Sequence, residues 1–162
     1  MYRNFQEIMS KAKNRGPVTV CVAAAHDKDV LKAIIEAENQ GLTRSILVGR
    51  KGIIKSYLSE MGVKCDCLII DEHDERQGAQ KAVKLVKEGQ AQVLMKGLVN
   101  SSDFMKAVLS SDTGLTVGKR LSHLGAFEVS GQKKIIFFTD GGVNVAPNLS
   151  QKKDILLDAL FA

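Results

Sequence analysis

Pro17-Val18-Thr19-Val20-Cys21-Val22-Ala23, followed by Ala24-Ala25-His26-Asp27 and then by Val30, Leu31, Ile34, Ile35 and Glu38 at helical spacing, sets the architecture of the chain. The first run is almost continuously apolar and rich in β-branched residues, the signature of a strand buried on both faces. Asp27 can cap the orphan amides of the helix that follows, and Gly41 stops that helix. The same alternation recurs downstream. Ile46-Leu47-Val48 reads as a strand before a helix over Ile53–Met61, and Cys67-Leu68-Ile69-Ile70 as a strand before Ala79–Lys87. Val93-Leu94-Met95 precedes a helix that Ser101 or Ser102 can cap, with Phe104, Met105, Val108 and Leu109 on one face. A short helix over residues 5–13 comes before all of these. Short apolar strands alternating with amphipathic helices predict an α/β fold: a doubly wound, mostly parallel sheet with helices on both faces.

After about 110 residues the rhythm changes. Ser110–Arg120 reads as a loop. Leu121–Val129 and Ile135–Thr139, separated by Ser130-Gly131-Gln132-Lys133, read as an antiparallel hairpin. Asp140-Gly141-Gly142 ends its second strand, and Ser150 can cap a last helix over Lys153–Phe161. The expected organisation is therefore an α/β domain over residues 1–113 and the incomplete beginning of a second α/β domain, a β-hairpin plus helix, over 114–162.

Composition bounds the function. The chain has 162 residues, 44% hydrophobic and 25% charged, which suits one substantial core. No apolar run reaches the roughly 18 residues of a membrane span, and the first residues lack a signal-peptide core, so a cytoplasmic protein with no membrane partner is expected. The net charge of +5 is spread along the chain and aromatic residues are only 5%, which favours a small anion over a nucleic acid. Three cysteines, Cys21, Cys65 and Cys67, are expected as buried or half-buried thiols, and Cys65-x-Cys67 lacks the second pair that a zinc site would draw on.

Several motifs have competing readings. Gly114-Leu115-Thr116-Val117-Gly118-Lys119-Arg120 looks like a phosphate-cradling loop, but its glycines are one residue too close, Arg stands where Ser or Thr belongs, and it follows a helix. Gly49-Arg50-Lys51-Gly52 matches an RNA-clamping loop but follows a strand. The run Asp71-Glu72-His73-Asp74-Glu75 resembles a metal cluster; a solvated loop and helix cap explain it more cheaply, and no metal site is expected.

Strand ends carry the remaining chemistry, because ligands of open parallel sheets bind beyond the carboxyl ends of the strands. Lys96-Gly97-Leu98-Val99-Asn100-Ser101 joins a cation to the start of a helix, which suits a phosphate; a snorkelling lysine beside a routine turn is the alternative. Arg120, Ser122 and His123 form a second cluster; Ser122 and His123 point to opposite faces if Leu121 begins a strand. Asp140-Gly141-Gly142-Val143-Asn144 suits a tight turn or a ligand wall equally.

Five segments in this order resemble the phosphate acetyl/butyryltransferase family, and its butyryltransferase branch most closely. They are Ala23-Ala24-Ala25-His26-Asp27-x-x-Val30-Leu31, Leu47-Val48-Gly49, Met95-Lys96-Gly97, Leu121-Ser122-His123-Leu124 and Thr139-Asp140-Gly141-Gly142-Val143-Asn144-x-x-Pro147. The resemblance implies reversible acyl transfer between coenzyme A and inorganic phosphate in a cleft between two α/β domains. Acyl-CoA and phosphate are then substrates, and no redox cofactor or metal is called for. It implies substrate-binding roles for Lys96, Gly97, Asn100, Ser101, Asp140 and Asn144, and catalytic roles for Arg120, Ser122 and His123. Such enzymes are about twice this length, so the chain is expected to be half of a truncated or split enzyme, acting as a homo-oligomer or with a complementary second half. A non-catalytic anion-binding or assembly module is the alternative.

Overall fold

The computed structural model describes residues 2–116 and 120–161. Val117, Gly118 and Lys119, in the middle of the loop that resembles a phosphate cradle, lie outside them. The chain folds as two compact units, Ala12–Leu115, and Met1–Lys11 together with Thr116–Ala162.

The larger unit is a four-stranded sheet of β1 (Val18–Ala23), β2 (Thr43–Gly49), β3 (Leu68–Asp71) and β4 (Val93–Lys96). Its order is β3-β2-β1-β4, with every pair parallel. The helices are α2 (Lys28–Asn39), α3 (Lys51–Glu60), α4 (Glu75–Lys87) and α5 (Ser101–Val108), preceded by α1 (Phe5–Arg15). The period-2 alternation of strands sorts the core into two layers. Val20, Val22 and Leu47 pack with Leu31 and Ile34 of α2 and Ile54 and Leu58 of α3. Cys21, Ala23, Ile46 and Val48 face the other way, onto Ala79, Ala82 and Val83 of α4 and Ala107 of α5. Both faces of the sheet are covered, as the uninterrupted apolar strands predict. Burying a side chain such as Leu31 or Leu47 contributes about 1.5–3 kcal/mol each.

The elements lie where the pattern places them, and caps explain most of the differences at their ends. Asp27 accepts the amides of Asp29 and Val30, as expected. Helix α4 begins four residues earlier than Ala79, because Asp74 caps it by accepting the Gln77 amide. Helix α5 is capped by Asn100, which accepts the Ser102 amide, and not by Ser101 or Ser102. Asp71 accepts the Lys51 amide at the start of α3, and Asp74 serves α4, so the acidic run is a loop with helix caps. Among the described residues, no group of His, Cys, Asp and Glu could hold a metal ion. The cysteine expectation needs correction: Cys65 and Cys67 are joined as a disulfide and only Cys21 is a free, buried thiol. Their Cα atoms are 5.2 Å apart, within bridging range.

In the smaller unit, β5 (Gly125–Phe127) and β6 (Ile136–Phe138) pair antiparallel, followed by α6 (Leu149–Phe161). Gly131, at φ +83°, permits the turn between them. The N-terminal segment joins this unit: the Ile135 amide donates to the Tyr2 carbonyl, and the Phe5 amide to Glu128. The strands are shorter than Leu121–Val129 and Ile135–Thr139, because side chains of Thr139, Asp140 and Asn144 take backbone groups of Leu121 and His123 that a ladder would use. The premise that Leu121 begins a strand therefore fails, and with it the argument that Ser122 and His123 must point to opposite faces. Helix α6 starts at Leu149 and not Lys153, with Asn148 and Gln151 capping each other reciprocally in place of Ser150. Among the described residues, no helix is long and apolar enough to cross a membrane.

Candidate functional site

Two clusters of candidate residues form, one in each unit. The first lies at the carboxyl ends of β1 and β4, where the strand order reverses direction. Ala24 adopts φ +55°, unusual for a residue with a side chain, and turns the end of β1 so that it serves both neighbours. The Ala25 amide then donates to Val48, while the carbonyls of Ala23 and Ala24 accept the amides of Gly97 and Leu98. Only glycine fits at 97, since a β-carbon there would lie 2.7 Å from the Ala23 oxygen and closer still to that of Ala24. This contact holds Lys96-Gly97 against the end of β1. Lys96 is exposed, and its ammonium donates to the carbonyls of Val99 at 2.8 Å and Gly97 at 3.3 Å. Asn100 and Ser101 sit at the start of α5, with the Asn100 side chain committed to its cap. Lysine, helix amides and an exposed turn can hold an anion, provided the lysine exchanges its carbonyls for the ligand.

Nearby in sequence, His26 is enclosed behind β1. Its side chain is 4% exposed, and neither ring nitrogen has a hydrogen-bond partner. Burial lowers its pKa first and the charge of Arg50 second, while Glu75 and Asp27 oppose the shift. A neutral, sealed imidazole is unsuited to act as a base on a bound substrate.

The second cluster lies in the smaller unit and is tied together by hydrogen bonds. One Arg120 guanidinium nitrogen donates to Asn144 Oδ1 at 2.9 Å. Asn144 Nδ2 donates to Asp140 at 2.6 Å and to the Leu121 carbonyl at 3.1 Å. Asp140 also accepts the backbone amides of His123 at 2.9 Å and Asn144 at 2.8 Å. These donors, the Asn144 side chain first, hold its carboxyl below the usual range. The Thr139 hydroxyl donates to the His123 carbonyl, and the His123 ring lies over Gly141, where a β-carbon would stand 2.6 Å from Nδ1. Ser122 Oγ faces Asp158 of α6 at 3.4 Å. Sequence reasoning missed Asp158 and Thr139: Asp158 is 36 residues from its partner, and no local spacing signals such a pair.

Burial drives the Cys21 thiol up to about 12, which removes it as a nucleophile. The clusters thus offer cations and hydrogen-bond donors, the equipment for binding and polarising an anionic substrate.

Comparison with known proteins fits this chemistry. A phosphate butyryltransferase from Clostridium acetobutylicum is 38% identical over 157 residues, covering 96% of this chain and 52% of the relative. One from Clostridium beijerinckii is 37% identical, covering 99% and 53%. The crystal structure of a branched-chain phosphotransacylase from Enterococcus faecalis superposes with a TM-score of 0.71 at 25% identity, over 88% of this chain and 49% of that one. A phosphotransacetylase from Streptococcus pyogenes shares the fold with a TM-score of 0.75 at 15% identity, over 95% of this chain and 56% of that one. The chain spans about half the length of the curated relatives it matches. Residues 72–161 match the family described as Phosphate acetyl/butaryl transferase, and the chain belongs to that family.

Proposed function

We propose that the chain takes part in reversible transfer of an acyl group between coenzyme A and inorganic phosphate. The observation that carries this reading is similarity along nearly the whole chain to relatives named phosphate butyryltransferase. Toward acyl phosphate, a phosphate oxygen attacks the thioester carbonyl; the C–O bond forms, the C–S bond breaks, and the leaving thiolate takes up a proton. The reaction needs cations for the phosphate and donors for the carbonyl oxygen as it gains charge. In the larger unit Lys96, with Gly97, Asn100 and Ser101, offers such groups; in the smaller unit Arg120, Ser122 and His123 do, with Asn144 bonded to Arg120 and Asp140 to Asn144. Cys21, buried and raised to about 12, is unsuited to carry the acyl group, which favours direct transfer between the substrates over an acyl-enzyme. Coenzyme A is a substrate, and the proposed chemistry calls on no redox cofactor or metal.

The relatives are about twice as long, so complete turnover is assigned to this chain together with polypeptide equivalent to the rest of them. Exposed Leu156, Leu157 and Leu160 on α6 support a role inside a larger assembly, with a second copy or a complementary half. Titration of the isolated chain with inorganic phosphate tests the reading. Binding should weaken in Lys96→Ala and in Arg120→Ala, with little thiol released from acyl-CoA; unchanged affinity in both variants overturns it.

A further inference from the structure

We infer that Asp140 and Asn144 are positioning residues that fix the Arg120 guanidinium, and that neither touches substrate. This rests on the reading of Arg120 as a phosphate-binding group. An ionised carboxylate can only accept hydrogen bonds. Asp140 Oδ2 therefore dictates which end of the Asn144 amide faces it: the NH2 end, at 2.6 Å. The second hydrogen of that group goes to the carbonyl of Leu121, the residue that follows Arg120. Asn144 Oδ1 is then left as an acceptor directed at Arg120, which donates to it at 2.9 Å. Asn144 so holds both the Arg120 guanidinium and the backbone of the next residue. Asp140 Oδ1 meanwhile accepts the His123 amide, tying down the chain on the other side of Ser122. Both carboxylate oxygens are engaged by protein donors, and an acceptor-only group has nothing to offer an anion. The Arg120 side chain is exposed and spends one of its donors on Asn144.

Asp140→Asn tests this relay, because an amide at 140 cannot accept from both His123 and Asn144. The Asn144 amide is then free to turn its NH2 toward the guanidinium, donor against donor. Asn144→Leu removes the link at similar size. Inorganic phosphate affinity is measured by titration, and the Arg120 side-chain NH resonances, identified by their loss in Arg120→Lys, report its rotational freedom. The relay predicts slow guanidinium rotation in the unaltered chain, faster rotation in both variants, and phosphate binding weaker by roughly tenfold. In an Arg120→Ala background, Asp140→Asn should cause no further loss, an outcome that a purely structural role would not give. Rapid rotation in the unaltered chain, or folded variants with parental rotation and affinity while Arg120→Ala binds weakly, overturns the relay. Parental phosphate affinity in Arg120→Ala overturns the underlying reading of Arg120, and the relay is then judged by the resonances.

Discussion

His26 Nε2 lies 3.8 Å from Glu75 Oε1, close enough for a salt bridge, yet the imidazole is sealed from solvent and hydrogen-bonded at neither nitrogen. Burial and Arg50 lower its pKa against the pull of Glu75. The unfolded chain takes up this proton near its ordinary value of about 6.5, and the folded chain only at lower pH. Stability from this group is thus complete above about pH 6.5 and is lost as pH falls toward the folded value. Urea unfolding midpoints should drop between about pH 7.5 and about pH 5.5, with a shallower drop in His26→Gln. Equal slopes in the two proteins contradict the assignment.

Gly97→Ala should be severe, because the atoms it meets are the carbonyls of Ala23 and Ala24, which are themselves fixed as acceptors for Gly97 and Leu98. Overpacking of this kind costs about 1–3 kcal/mol. Gly52 in α3 has open space around its position, so Gly52→Ala should stabilise by up to about 1 kcal/mol. Urea denaturation of the pair separates steric fit from helix propensity; a tolerated Gly97→Ala would refute the close approach of β4 to β1.

Leu31→Ala, at a fully buried position under the sheet, should lose about 2–5 kcal/mol. Leu160→Ala, on the exposed side of α6, should change stability by less than about 0.5 kcal/mol. Comparable losses at both sites would contradict the core assignment.

Arrangements built from local spacing were readable from residues alone. Val18–Ala23 is a strand because its run is apolar without interruption, and Asp27 caps because it stands directly before an amphipathic period. The parallel sheet follows from that alternation. Contacts between residues far apart in sequence were not readable. Leu121–Leu124 has strand-like composition, but Asp140 and Asn144 claim its backbone from about twenty residues away. The Ser122–Asp158 and Arg120–Asn144 contacts are equally non-local. The candidate residues follow from type and position along the chain, whereas their hydrogen-bond partners depend on the fold.

The most direct test replaces the matching stretch of the Clostridium acetobutylicum phosphate butyryltransferase with this chain and follows thiol release from butyryl-CoA. Release should depend on inorganic phosphate and fall at least roughly tenfold on Arg120→Ala. A folded chimera that releases no thiol, or releases it equally well with Ala at 120, contradicts the proposed function.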